Sequence, residues 1–192
     1  MKKNILGFSI LTVLVLLFVM NIFKAEKASE TALSSSPHVV NEIEAEKIKV
    51  SSERKVAQDF TLTTLQGEQV SLSDYKGKIV ILNFWTSWCG PCKEEMPHMQ
   101  SFSEKHPDVK MLAVNLTSMD LGLDAVKQFV EEYRLTFPIL LDEADVVGKQ
   151  YNILTIPTSY IIDPEGRVFK EVIGPMDETM MEELISALKS YD

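Results

Sequence analysis

The residues best able to do chemistry are two cysteines, Cys89 and Cys92, the only ones in a 192-residue chain, standing three apart in Trp88-Cys89-Gly90-Pro91-Cys92. Two cysteines are too few to staple a miniature scaffold, and a structural zinc site recruits four Cys or His ligands. His38, His98 and His106 have no ligand spacing around the pair. No metal is therefore expected there, and no motif in the chain requires another cofactor. The chemistry open to such a pair is thiol–disulfide exchange: one thiolate attacks a foreign disulfide and the second thiol resolves the mixed disulfide.

The attacking cysteine must be a thiolate and must be reachable. A buried strand leading directly into a helix supplies both conditions, because the free N–H groups and the positive dipole end of the helix stabilise negative charge at its first residue. Ile79 to Trp85 is a β-branched and aromatic run with almost no polar break, the pattern of a strand covered on both faces, and it is expected at the centre of a sheet. The helix that follows carries Cys92, Met96, Met99 and Phe102 at helical spacing and ends at Pro107. Gly90 and Pro91 suit its first turn, where a proline forfeits no intrahelical hydrogen bond. Cys89 is then the expected nucleophile. Cys92, one turn further in, is the expected resolving thiol, with Met96 and Met99 in the core.

The remaining elements frame this junction. Phe60–Thr63 and Gln69–Leu72 read as a hairpin around Gln66-Gly67. Met111–Leu116 is a second buried strand, and Val126, Phe129, Val130 and Tyr133 share one face of a helix. Strand, helix, strand, helix implies an α/β fold with parallel strands and right-handed crossovers. A further strand is expected over Phe137–Leu141 and a short helix over Ala144–Tyr151. Thr158–Ile162 and Val168–Ile173 form a hairpin across Asp163–Gly166, and a last helix carries Met181, Leu184, Ile185 and Leu188 on one face. His98 and His106 are expected at the surface.

Ahead of this domain, Ile5 to Phe23 is almost wholly apolar and uncharged, with Lys2 and Lys3 before it and Lys24 after it. At about 1.5 Å per residue the run can cross a hydrocarbon core of about 30 Å. A cleaved signal peptide has a shorter apolar core and a small-x-small exit, which Phe23-Lys24-Ala25-Glu26-Lys27-Ala28 does not offer. The expected organisation is a membrane anchor over 1–24 with its N-terminus inside by the positive-inside rule, a polar stalk over 25–55 and one folded domain over 56–192. The formal charge of −9 excludes nucleic acid as the natural partner, because phosphate binding depends on clustered Lys and Arg.

The segment Trp85-Thr86-Ser87-Trp88-Cys89-Gly90-Pro91-Cys92-Lys93 resembles the thioredoxin active site, with Pro97 where that family has a helix-kinking proline and Ile156-Pro157-Thr158 matching its cis-proline loop. The anchor, the stalk, the N-terminal hairpin and an inserted segment around residues 118–150 resemble the extracytoplasmic TlpA-like branch of that family, of the ResA and StoA type, over Val56 to Leu188. The resemblance implies a thioredoxin-like fold with an N-terminal β-hairpin and a central insertion, preceded by one transmembrane helix. It implies reduction of disulfides in exported client proteins, such as apocytochrome c or spore-envelope proteins, on the outer side of the cell membrane. A membrane electron donor of CcdA type would regenerate the thiols. Trp88, Ile156 and Pro157 would meet the substrate, although Trp88 is equally readable as an aromatic at the core's edge.

Thioredoxin has a buried Asp six residues before the first cysteine; here the position is Asn83, read as a structural hydrogen-bonder in the sheet. Any buried acid must come from elsewhere. Glu95 returns to within about 60° of Cys92 on a helical wheel, and the resemblance implies that a glutamate there tunes the cysteines. The plainer alternative is a first-turn acid favourable to the helix dipole. Two other functions stay in view. Phe60-Thr61-Leu62, Leu72-Ser73-Asp74-Tyr75-Lys76-Gly77-Lys78 and Thr86, three before Cys89, also resemble a peroxiredoxin. Against it, Leu82 replaces the proline expected four residues before Thr86, and Trp88 precedes the cysteine. A non-catalytic membrane-bound binding module with a structural disulfide is the other alternative, but a bridge closing so small a loop adds little stability.

Overall fold

The fold is built outward from one strand. In the computed structural model, which describes residues 54–191, all seven residues of Ile79–Trp85 are buried. This is β3, preceded by β1 (Thr61–Thr64) and β2 (Gln69–Ser71) and followed by α1 (Gly90–Lys105), β4 (Val109–Asn115) and α2 (Leu123–Glu132). Next come β5 (Ile139–Leu141), α3 (Val146–Gln150), β6 (Thr158–Ile162), β7 (Val168–Ile173) and α4 (Glu178–Tyr191). The seven-stranded sheet has the order β2-β1-β5-β4-β3-β6-β7. β3 runs parallel to β4 and antiparallel to β6, and β4 runs parallel to β5. The expected anchor lies outside the described residues; among those residues no helix is long and apolar enough to cross a membrane.

Strand alternation sorts β3 into two layers. Ile79, Ile81 and Trp85 join Cys92, Met96, Met99 and Phe102 of α1, Val126 and Phe129 of α2, and Met181, Ile185 and Leu188 of α4. Val80, Leu82 and Phe84 face the opposite layer with Phe60, Leu72 and Val147. By the same alternation Asn83 points into the first layer, beneath α1, among apolar side chains. The cysteine helix is therefore packed on the sheet along its length, and its start is fixed where β3 ends.

Two elements and one side chain differ from expectation for local reasons. β5 begins only at Ile139, because Pro138 has no N–H to give to a ladder. α3 begins at Val146, not Ala144: Asp145 adopts a left-handed φ of 54°, and the buried Asp142 carboxylate caps the helix by accepting from the N–H groups of Val146 (2.9 Å) and Gly148 (2.8 Å). His106 is half-buried, not simply exposed, since it stacks on Phe102 at 4.3 Å and stands 3.6 Å from Glu182. At the far end of β3 from the cysteines, Arg54 and Lys55 already contact the sheet, through Arg54 Nη1 to Asp163 at 3.2 Å and Val168 N–H to the Lys55 carbonyl at 2.8 Å.

Gly148 is the tightest of the glycines in the described residues. A Cβ there would come within 2.7 Å of Asp145 Oδ1 and 2.9 Å of the buried Leu116 Cδ2. Gly148→Ala is expected to lower the free energy of unfolding by about 1–3 kcal/mol, the usual cost of overpacking. Urea denaturation measures it, and an unchanged midpoint with an unchanged slope would show that Leu116 yields freely.

Candidate active site

Where β3 ends, the chain turns through Thr86–Trp88 and starts α1 with Cys89 as its N-cap, in extended conformation (φ −72°, ψ 116°). The sulfur of Cys89 takes the place of a capping oxygen, accepting the Cys92 N–H at 3.2 Å. Pro91 occupies the first turn, where its missing N–H costs nothing. The two cysteines form a disulfide with a Cα–Cα distance of 5.3 Å. Cys89 is 4 % exposed and Cys92 0 %, so any approach from solvent meets Cys89 first.

The cis-proline loop stands at the same end of the sheet. The Ile156–Pro157 peptide is cis, and Thr158, the next residue, is the register partner of Phe84 just before the cysteine turn. Pro157 is buried and Ile156 half-buried, with Ile156 packed against both apolar layers. Trp88 is 47 % exposed, which places it on the rim and not in the core, and its indole N–H donates to the Met119 carbonyl at 3.0 Å.

Glu95 is not a first-turn acid at the surface. It sits in the second turn of α1 and is fully buried. One carboxylate oxygen accepts the Met176 N–H at 3.0 Å and the other accepts from Asn83 Nδ2 at 3.0 Å, while Asn83 also donates to Ser159 Oγ at 2.9 Å. Burial raises the Glu95 pKa from the ordinary carboxylate range to about 7, because neither donor is charged and their two hydrogen bonds offset only part of the lost hydration. Asn83 is thus the hydrogen-bonder expected in the sheet, and it divides its amide between the acid and Ser159.

Two features were missed in the sequence. Asp120 accepts from the Ser87 N–H (2.8 Å), Asn115 Nδ2 (2.7 Å), the Leu121 N–H (2.7 Å) and the Ser87 hydroxyl, tying the loop after β4 to the cysteine turn. An acidic residue a few positions past a buried parallel strand, where loops converge at the strand ends, was the available signal. The Trp85 indole nitrogen and the Thr86 hydroxyl are buried without a partner among the described residues, which no pattern foretold. Among the described residues no group of three His, Cys, Asp or Glu could hold a metal ion.

The arrangement can pass an electron pair through Cys89 and Cys92 and hold or release a proton at Glu95 near neutral pH. Comparison with known proteins agrees with that chemistry. Residues 54–170 match the AhpC/TSA family model. The chain is 43 % identical over 126 residues to the sporulation thiol-disulfide oxidoreductase A of Bacillus subtilis, covering 65 % of this chain and 76 % of that protein. It is 42 % identical over 135 residues to the thiol-disulfide oxidoreductase ResA of Geobacillus kaustophilus, covering 69 % and 76 %. The crystal structure of StoA from Bacillus subtilis superposes with a TM-score of 0.61 at 42 % identity, over 68 % of this chain and 98 % of that one. With its thioredoxin-like fold, its Cys-Gly-Pro-Cys helix start and these relatives, the chain belongs to the thioredoxin-family thiol–disulfide oxidoreductases of the ResA and StoA type.

Proposed function

We propose that the chain is a membrane-tethered disulfide reductase of exported proteins, with Cys89 as nucleophile, Cys92 as resolving thiol and Glu95 as the buried acid coupled to them. The observation that carries this reading is the Cys89–Cys92 disulfide on the first turn of α1, with Cys89 capping the helix through its sulfur and lying nearer to solvent. The Cys89 thiolate attacks one sulfur of a client disulfide, forming a mixed disulfide and releasing the client's other sulfur as thiolate. Cys92, once deprotonated, attacks Cys89 Sγ and releases the second client sulfur. Two electrons pass to the client, and the Cys89–Cys92 disulfide re-forms. Trp88, Ile156 and Pro157 form the rim against which the client lies.

Location and clients follow from different support. The charge-free run from Ile5 to Phe23 favours an anchor, which would place the domain outside the cytoplasm, where no glutathione pool renews thiols; a membrane electron donor of CcdA type would do so. Relatives carry the name ResA and a name that includes sporulation, which favours exported clients of apocytochrome c or spore-envelope type. Gly90 and Pro91 carry no side-chain charge to stabilise a thiolate, and an ionised Glu95 would oppose one. The disulfide is therefore the favoured state and the protein a reductant. The AhpC/TSA match and the buried Thr86 hydroxyl, without a partner among the described residues, keep a thiol peroxidase as the second reading; assaying hydrogen peroxide consumption by the reduced protein separates the two.

Equilibration against redox buffers is expected to give a potential near that of thioredoxin, roughly −270 mV, whereas a value approaching roughly −120 mV would make the protein an oxidant. In the reduced protein at neutral pH, alkylation is expected at Cys89 before Cys92; peptide mapping with the opposite order would reverse their assignment.

Glu95 gives the third expectation. Its pKa is about 7 in the folded protein and ordinary in the unfolded chain. The folded state therefore retains a proton that the unfolded state has already lost. Stability from this group is full below the ordinary carboxylate pKa and is lost as pH rises to about 7. The loss is of order 3 kcal/mol. Chemical denaturation of the oxidised protein, whose cysteines do not titrate, should show this decline between pH 5 and pH 8, and Glu95→Gln should flatten it. Parallel wild-type and variant profiles would mean that Glu95 is ionised at little cost.

A further inference from the structure

The amide of Asn83, fully buried beneath α1, is used unevenly. Its Nδ2 donates twice, to Glu95 Oε2 at 3.0 Å and to Ser159 Oγ at 2.9 Å, while its Oδ1 is buried without a hydrogen-bond partner among the described residues. A buried amide oxygen left unpaired is costly, and the orientation that leaves it so suits only the ionised form of Glu95. The other carboxyl oxygen, Oε1, accepts the Met176 N–H at 3.0 Å. A backbone N–H can only donate, and a carboxylic acid accepts best through the oxygen that carries no hydrogen. A proton taken up by Glu95 therefore belongs on Oε2, whose partner among the described residues is Asn83. There an O–H would confront an N–H, two donors at 3.0 Å with no acceptor between them.

We propose that Asn83 is a positioning residue whose amide turns over about its Cβ–Cγ bond as Glu95 gains or loses a proton, so that the buried acid has a hydrogen-bond partner in both forms. The proposal rests on the reading of Glu95 as an acid that exchanges its proton during the reaction. With Glu95 ionised, Nδ2 donates to Oε2, as observed. With Glu95 protonated, Oδ1 takes the place of Nδ2 and accepts from Oε2–H; it accepts a second time from Ser159, whose hydroxyl rotates from acceptor to donor. The oxygen and nitrogen of the amide are nearly the same size, so their exchange leaves the packing undisturbed. One arm of the amide is unpaired in either state, so no satisfied group is lost in the turn. The proton on α1 is thereby felt by the hydroxyl of Ser159 on β6, next but one to Pro157. Among the described residues no other ionisable group competes for this place. Lys93, Glu94 and His98 lie on the exposed face of α1, and Tyr160 of β6 faces the opposite layer. Asp177 accepts the Met180 N–H, Glu178 is held by Lys105 and Ser101, and Cys89 and Cys92 are bridged in the oxidised protein.

The test is NMR of the oxidised full chain, isotopically labelled and held in detergent micelles, between pH 5 and pH 8. Glu95 Cδ reports the proton, and the nuclear Overhauser contacts of the Asn83 Hδ2 pair report which way the amide faces. At pH 8 these contacts are expected to reach Ser159 Hβ and Glu95 Hγ; at pH 5 they are expected to be lost, with the same midpoint as Glu95 Cδ. Contacts from Asn83 Hβ to the same groups should persist throughout, which separates a turn of the amide from a loosening of the site. In Glu95→Gln the Met176 N–H claims the amide oxygen, so the new NH2 faces Asn83 and should hold it in the turned state at both pH values. A titrating Glu95 with unchanged Hδ2 contacts would show that the amide is a fixed donor and overturn the proposal, as would contacts kept at both pH values in Glu95→Gln. The wild-type measurement decides alone if the variant folds poorly. A Glu95 Cδ that does not titrate in this range would instead refute the reading of Glu95 as the acid, and the proposal with it.

Discussion

The site depends on the N–H groups left unpaired where α1 begins. A helix start offers several such donors and a positive dipole end; here a sulfur occupies the capping position and accepts one of them. That contact would fray if the helix could shift. It cannot do so readily, because β3 feeds into it from a fully buried strand and Cys92, Met96, Met99 and Phe102 anchor its inner face on the sheet. The seven buried residues of β3 therefore act on the reaction indirectly, by fixing where the helix starts and hence where Cys89 stands. The same packing leaves Cys92 without solvent contact while Cys89 keeps a little, which gives different surroundings to two cysteines that are chemically identical in the sequence.

Glu95 shows what the frame tolerates. A fully buried carboxylate with only two neutral donors is costly when ionised. An apolar side chain in the same place would pack against the layer shared by Ile81, Trp85 and Met96 without that cost. The acid is held by a sheet side chain and by the Met176 N–H just ahead of α4, two parts of the chain remote from each other in sequence. Its proton affinity thus reflects the tertiary assembly and not α1 alone. A group that exchanges its proton near neutrality is useful to thiol chemistry, since each cycle must place and remove protons on two sulfurs.

Much of this was legible in the residues. β3, α1 and the C-terminal hairpin were readable because their apolar periodicities are uninterrupted, and the Cys-Gly-Pro-Cys spacing and Ile156-Pro157 pointed to the disulfide and the cis peptide bond that the fold contains. Glu95 could be placed on the face of Cys92 by helical geometry, but its partners could not be read, because Asn83, Ser159 and Met176 are brought to it by strand pairing and by the packing of α4. Asp120 escaped for a related reason: its four donors are side-chain and backbone groups in a loop with no periodicity to read. The ends of β5 and α3 were misjudged where a single residue, Pro138 or the left-handed Asp145, overrode the apolar pattern around it.

The two carboxylates near the disulfide divide their work by the company they keep. Glu95, enclosed and given two donors, retains a proton affinity that neutral pH can move. Asp120, half-exposed and given four, is spent on geometry: each of its hydrogen bonds ends on the cysteine turn, on β4 or on its own loop. The two acids are therefore held by separate sets of contacts, the first by groups beneath α1 and the second by a loop that borders it.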